Sequence, residues 1–164
     1  MIDLTRSLRH LAWADGKFFT ELAALDVRAL DVGTKDGGQR VGELARHIVE
    51  GAEWYRYCLN GTPWTQVQVP TSRDDLLALG AYIVELDREL LAEALVPDQP
   101  VTFNDEHGER TAMRSTILTQ ASYHATEHRA QLALALDLAG IPGIDLDEYD
   151  LWAFEQHEHD AAST

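Results

Sequence analysis

Residues 123–131 have the sequence YHATEHRAQ, in which His124 and His128 lie four residues apart. Apolar residues flank it at helical spacing, namely Ile117, Leu118, Ala121, Leu132, Leu136 and Leu138. This periodicity predicts a long helix over about residues 113–139. Because residues at i and i+4 share one helix face, their Cβ atoms lie roughly 5–6 Å apart. Both imidazoles can therefore converge on a single metal ion.

A third histidine, His47, lies on an earlier amphipathic segment. Three neutral nitrogen ligands with an open fourth position are typical of catalytic metal sites rather than closed structural ones. The spacing alone leaves an alternative open, in which each of the three is a hydrogen-bonded core histidine. A metallopeptidase is excluded, because that motif needs glutamate directly after the first histidine and Ala125 occupies this place.

The remaining histidines suit structural or exposed positions. His10 lies on the predicted first helix without a paired partner, and His107 precedes a glycine in a predicted turn. His157 and His159 flank a glutamate in the acidic C-terminal tail, where we expect solvent exposure. The acidic run at residues 145–150 lacks the glycine and ligand register of an EF-hand, so we interpret it as a solvated loop.

Three further helices follow from the apolar periodicity. The first covers about residues 4–30, the second residues 41–59, and the third begins after the capping pair Thr71-Ser72 and ends at Pro97. Short alternation over residues 101–112 predicts a small two-stranded hairpin. These elements predict an all-α fold, an antiparallel four-helix bundle with long connections. We expect a single domain over residues 1–155 and a flexible acidic tail over residues 156–164.

Composition excludes several classes of protein. The net charge of −15 argues against nucleic-acid binding, because a phosphate backbone would repel the chain. No run of about 18 apolar residues is present, so we expect no membrane span. The N-terminal stretch lacks an apolar signal core, which favours a cytoplasmic protein. The single cysteine, Cys58, excludes an intrachain disulfide and a cysteine-based zinc site, and we expect it to be a buried core thiol.

Three stretches, taken together, resemble the DinB-like family of bacterial four-helix metal-binding proteins, which includes YfiT-type proteins. The stretch HLAWAD, residues 10–15, resembles the family's "WAN" segment, with Asp15 where Asn is usual. The stretch LARHIVEGAEW, residues 44–54, resembles its "HI…AE..W" segment. The stretch HATEHRAQ, residues 124–131, resembles its "HxxxHRGQ" signature, with Ala130 where Gly is usual. The match runs through nearly the whole chain in the right order.

The resemblance implies that His47, His124 and His128 are metal ligands. It also implies homodimers and a bundle of unusual connectivity. Some relatives use the metal to activate a low-molecular-weight thiol, such as mycothiol or bacillithiol, for isomerisation or S-transfer. The expected metal is zinc or nickel, since imidazole suits both.

The leading functional hypothesis is a metal-dependent enzyme that acts on a small molecule. The metal would bind a thiol or water at its fourth position and lower its pKa. The alternatives are a metal-dependent hydrolase and a non-catalytic metal-binding stress-response protein. Cys58 lies eleven residues after His47, which is roughly 16 Å along a helix axis. We therefore expect any activated thiol to come from outside the chain.

Overall fold

The computed structural model describes residues 4–34 and 38–163, and within them the chain is mostly helical. The five α-helices are α1 (Leu4–Leu22), α2 (Val41–Asn60), α3 (Arg73–Glu93), α4 (Arg114–Leu138) and α5 (Leu151–Ala162). The two strands are β1 (Pro100–Asp105) and β2 (Gly108–Met113), and short 3₁₀ helices cover Val27–Asp31 and Leu146–Tyr149. Among the described helices, none is both long enough and apolar enough to cross a bilayer.

Four long helices pack around one apolar core. Helix α1 lies against α3, α2 lies against α4, and the two pairs contact each other through α2 with α3 and α1 with α4. The largest fully buried side chains come from all four helices: Leu8, Phe18, Phe19, Leu22, Leu44, Ile48, Ile83, Leu86, Leu90, Leu118, Leu132 and Leu136. The core therefore lies between the helices, and the inner faces of α2 and α4 meet along it.

Local capping explains where the helices begin and end. At the start of α3 the Ser72 hydroxyl accepts a hydrogen bond from the backbone N–H of Asp75 at 3.1 Å, as the predicted cap requires. Helix α2 ends at Gly61, whose φ of 76° is the left-handed conformation that favours glycine. Its N–H donates to the carbonyl of Tyr57 at 2.8 Å. These two caps fix the connection between α2 and α3 at both ends.

The first helix is shorter than its apolar periodicity predicts. The sequence pattern extends to Leu30, but α1 ends at Leu22 and a separate 3₁₀ helix follows. Asp26 explains the break, because its carboxylate accepts from the backbone N–H of Arg28 at 2.9 Å. Such a side-chain bond gives the backbone an alternative to the helical hydrogen bond.

The predicted hairpin is confirmed. Strands β1 and β2 pair antiparallel from Pro100 opposite Met113 to Asp105 opposite Gly108. Strand β1 packs against α2, where the Phe103 ring meets the Trp54 ring edge-on at 6.0 Å between centroids. The hairpin thereby covers the part of α2 that lies C-terminal to His47.

The C-terminal segment differs from the prediction of a loose tail. Residues 156–162 continue helix α5, while Thr164 lies outside the described residues. Asp150 begins this helix by accepting from the backbone N–H groups of Trp152 and Ala153, at 2.9 and 2.8 Å. Phe154 is buried, and Glu158 forms an ion pair with Arg6 of α1 at 3.2 Å. These tertiary contacts order a segment whose acidic composition favours a solvated tail.

Candidate metal centre

The packing of α2 against α4 brings the three predicted histidines together. One ring nitrogen from each of His47, His124 and His128 lies within 4.8 Å of the other two. The Nε2 atoms of His47 and His124 are 3.3 Å apart. Ring centroids lie 4.3 Å apart for His124 and His128, 4.4 Å for His47 and His128, and 4.9 Å for His47 and His124. Such convergence is what three ligands to one ion require.

Gly51 makes room for this arrangement on α2. A Cβ atom at position 51 would lie 2.2 Å from Cε1 and 2.6 Å from Nδ1 of His124. The imidazole of His124 therefore occupies the space that any larger residue would fill. Glycine inside a helix costs roughly 1 kcal/mol relative to alanine, so its presence here indicates a close approach. The glycine is visible in the sequence, but the sequence does not show that His124 is the side chain that approaches it.

Gln131 fixes the orientation and tautomer of His128. Its amide oxygen lies 2.9 Å from His128 Nδ1. Because that oxygen only accepts, His128 Nδ1 carries the hydrogen and Nε2 keeps a free lone pair. The amide nitrogen of Gln131 in turn donates to Glu127 at 3.5 Å, which sets the direction of the amide. Glu127 and Gln131 thus orient the imidazole of His128, a role that the helical spacing alone did not reveal.

Burial keeps the imidazoles of His124 and His47 neutral near pH 7. Burial, together with smaller contributions from the neighbouring His128 and His47, lowers the pKa of His124 to about 4. Burial also lowers the pKa of His47, with a smaller contribution from His128. A neutral imidazole has the free lone pair that a metal needs, so little proton competition is expected from these two groups near neutral pH.

The other histidines lie outside this cluster. His10 Nε2 is 2.7 Å from the carbonyl oxygen of Tyr149, in a structural contact between α1 and the C-terminal segment. His157 stacks on Trp13 at 5.6 Å between centroids, and His107 is exposed at the tip of the hairpin. Within residues 4–34 and 38–163, no second group of three or more histidine, cysteine or acidic side chains converges as a metal cluster would.

Cys58 is buried, as expected, and takes no part in the cluster. Burial raises the pKa of its thiol to about 12, so it stays protonated at neutral pH. The acidic run also has a local explanation, because Asp145 and Asp150 accept backbone hydrogen bonds at the starts of the second 3₁₀ helix and of α5. Neither feature requires a metal.

The donor set fits a divalent transition metal. It consists of three imidazoles without a carboxylate or thiolate, and imidazole suits zinc, nickel, copper and iron rather than magnesium or calcium. The space over Gly51 and the hydrogen bond from His128 to Gln131 both serve to hold imidazoles in place.

Comparison with known proteins gives one positive result. The DinB family matches residues 1–159 of the 164-residue chain. Neither the curated proteins nor the solved structures gave a match. The family match covers both helices that carry the histidine cluster and extends into α5. Because it covers nearly the whole length, the chain belongs to the DinB family.

Proposed function

We propose that this chain is a metal-dependent enzyme that holds one divalent transition metal, zinc or nickel, on His47, His124 and His128. The observation that carries the proposal is the convergence of their ring nitrogens to within 4.8 Å of one another. The lowered pKa values of His124 and His47 and the space over Gly51 support it. The proposal includes an antiparallel four-helix bundle of the DinB and YfiT type, formed by α1 to α4.

The reaction we propose is activation of a small thiol or of water, in a thiol-dependent S-transferase or isomerase. A bound ion would supply Lewis acidity, which lowers the pKa of a thiol or water at its open position. The chain contributes three neutral ligands and no negative charge within the cluster. This charge balance favours an anionic fourth partner. Cys58 does not qualify, because its pKa is raised to about 12 and it lies three helical turns beyond His47.

A groove beside His47 suits a small-molecule substrate. It has a volume of about 450 Å³ and lies between α2 and residues 64–68. Arg46 and Glu50 line it on either side of His47 in sequence, and Trp54 and Trp64 form an aromatic wall with centroids 5.5 Å apart. Glu50 also acts electrostatically on His47, which supports a role for the groove beside the centre. Its size falls in the usual range for ligand sites, about 300–1,000 Å³.

Thiol binding at the centre has a direct spectroscopic test. The protein is loaded with cobalt and titrated with small thiols, including cysteamine and a cysteinyl pseudodisaccharide such as mycothiol. We expect sulfur-to-cobalt charge-transfer absorption, because a thiol that coordinates a dication is deprotonated. The Cys58→Ser variant should give the same absorption, since the buried thiol lies away from the centre.

Three outcomes would redirect the proposal. A signal lost with Cys58 would contradict the external thiol. No response to any thiol, together with turnover of ester or amide substrates, would favour the hydrolase. No response and no turnover would favour a metal-binding protein without catalysis.

We further propose that the chain forms a homodimer through the outer face of α4. Tyr123, Leu134 and Leu138 share this face and are 69%, 51% and 61% exposed. Tyr123 continues into an apolar groove of about 440 Å³ that Leu146 and Leu151 also line. An exposed apolar surface of this kind is typical of subunit interfaces.

Light scattering at micromolar concentration should therefore give twice the 18.3 kDa chain mass. The double substitution Leu134→Glu and Leu138→Glu should give the monomer mass, because it places two charges in the apolar interface. Leu77→Glu, on the exposed face of α3, is the matched control and should remain dimeric. A monomeric wild-type protein would refute the interface.

A further inference from the structure

A buried acidic pair lies behind the metal centre. Asp15 of α1, Asp87 of α3 and Arg129 of α4 are 0%, 1% and 3% exposed. Arg129 Nη1 donates to Asp15 Oδ1 and forms an ion pair with it. Asp15 and Asp87 line the same small cavity, and each carboxyl group acts on the pKa of the other. One guanidinium therefore lies near two buried carboxyl groups and is bonded to Asp15 alone.

Counting charges in this cluster indicates a bound proton. Neither oxygen of Asp87, nor Oδ2 of Asp15, has a donor from any other described residue. Two ionised carboxylates have no hydrogen between them and would leave one buried negative charge uncompensated. One shared proton supplies the missing hydrogen bond and makes the cluster neutral, as in other buried carboxyl dyads. In agreement, burial and the charge of Asp15 both raise the pKa of Asp87 well above its ordinary value.

A small cavity connects this pair to the metal centre. Its volume is about 10 Å³, and its lining includes Asp15, Asp87, Tyr55 and His124 among apolar side chains. That is about the space that one water molecule needs, and the polar side chains are the partners that a buried water requires. The acidic pair and one proposed ligand thus line the same cavity.

The ionisable groups around the pair come from all four helices. Helix α1 contributes His10 together with Asp15, and α2 contributes Tyr55. Helix α4 contributes Arg129 and His124. Arg129 is the group among them that is always positively charged, and it already forms an ion pair with Asp15. A dication at the centre would therefore be the largest positive charge added near this pair.

We propose that Asp15 and Asp87 hold one proton between them in the metal-free protein and release it when the metal centre is filled. The O–H bond of the shared carboxyl breaks, the proton passes through the cavity to the buffer, and both carboxylates remain ionised beside Arg129. The pair then supplies the negative charge that three neutral imidazoles lack, across an interior where charges attract strongly. This inference rests on the proposed metal site.

An Asn at position 15 could not share a proton with Asp87 as a second carboxyl group does. The Asp15→Asn variant therefore removes the acidic pair while keeping the size and shape of the side chain.

The test counts the protons released per zinc ion. Apo full-length protein is titrated with zinc by calorimetry at neutral pH, in several buffers that differ in ionisation enthalpy. Wild type should release about one proton more per ion than Asp87→Asn or Asp15→Asn, since proton release accompanies metal binding when a linked group ionises. Asp74→Asn, an exposed change on the same helix as Asp87, should behave as wild type.

A second measurement needs no variant to fold. Infrared spectra of metal-free wild type should contain the carbonyl band of a buried protonated carboxyl group, and zinc should remove it. Zinc binding with no extra proton and no such band would overturn this inference and leave the metal site intact. Failure to bind zinc at all would overturn both.

Discussion

Replacing His124 by alanine should abolish stable metal binding, with an affinity loss greater than about 100-fold. Changing a group that only orients a ligand already costs about 10–100-fold in metal affinity, and His124 is a proposed ligand. His47→Ala should have the same effect, although it lies on α2 rather than α4. Elemental analysis after dialysis, followed by zinc competition against a chromophoric chelator, measures both variants.

The matched control for these variants is His107→Ala, which removes an exposed histidine at the tip of the hairpin. It should bind one zinc ion with wild-type affinity. The zinc affinity of Gln131→Ala should fall between that of the two ligand variants and that of the control. This change removes the hydrogen bond that orients His128 but leaves all three imidazoles in place. Full metal occupancy in His47→Ala or His124→Ala would contradict the ligand assignment.

The Gly51→Ala substitution should lower metal affinity by more than about tenfold without unfolding α2. The added methyl group would lie 2.2 Å from Cε1 of His124, far inside van der Waals contact, so the imidazole must move away. The helix itself gains from the change, because alanine is favoured over glycine by roughly 1 kcal/mol in a helix interior. The expected signature is therefore lost zinc binding with helical circular dichroism retained.

Gly42→Ala is the control for this prediction, because it lies on the same helix and its added Cβ would meet neighbours at 3.3 Å or more. It should bind zinc as wild type does. Wild-type zinc affinity in Gly51→Ala would show that the position of His124 does not depend on the space over Gly51.

The features that the sequence predicted are those with a local signal. The periodicity of apolar residues located α2, α3 and α4, and strand alternation located the hairpin. The i, i+4 spacing placed His124 and His128 on one face of a helix. For His47, the residue sequence left a structural alternative open, and the family resemblance supplied the third position of the cluster.

The features that the sequence missed depend on which elements become neighbours. Helix α5 is anchored by the ion pair of Glu158 with Arg6, about 150 residues apart. The space over Gly51 has meaning only once α4 lies against α2. In the sequence, Asp15 and Asp87 are ordinary polar residues of two separate helices. They become a buried pair because α1 packs on α3. Long-range packing of this kind is not visible in local periodicity.

X-ray absorption at the zinc edge, on zinc-loaded wild-type protein in a thiol-free buffer, tests the three-histidine centre directly. We expect one zinc ion per chain with three imidazole nitrogens at about 2.0–2.1 Å and one further light ligand. The imidazole rings should also produce their outer-shell scattering. A sulfur shell at about 2.3 Å, or an oxygen shell without imidazole scattering, would contradict a centre built on His47, His124 and His128.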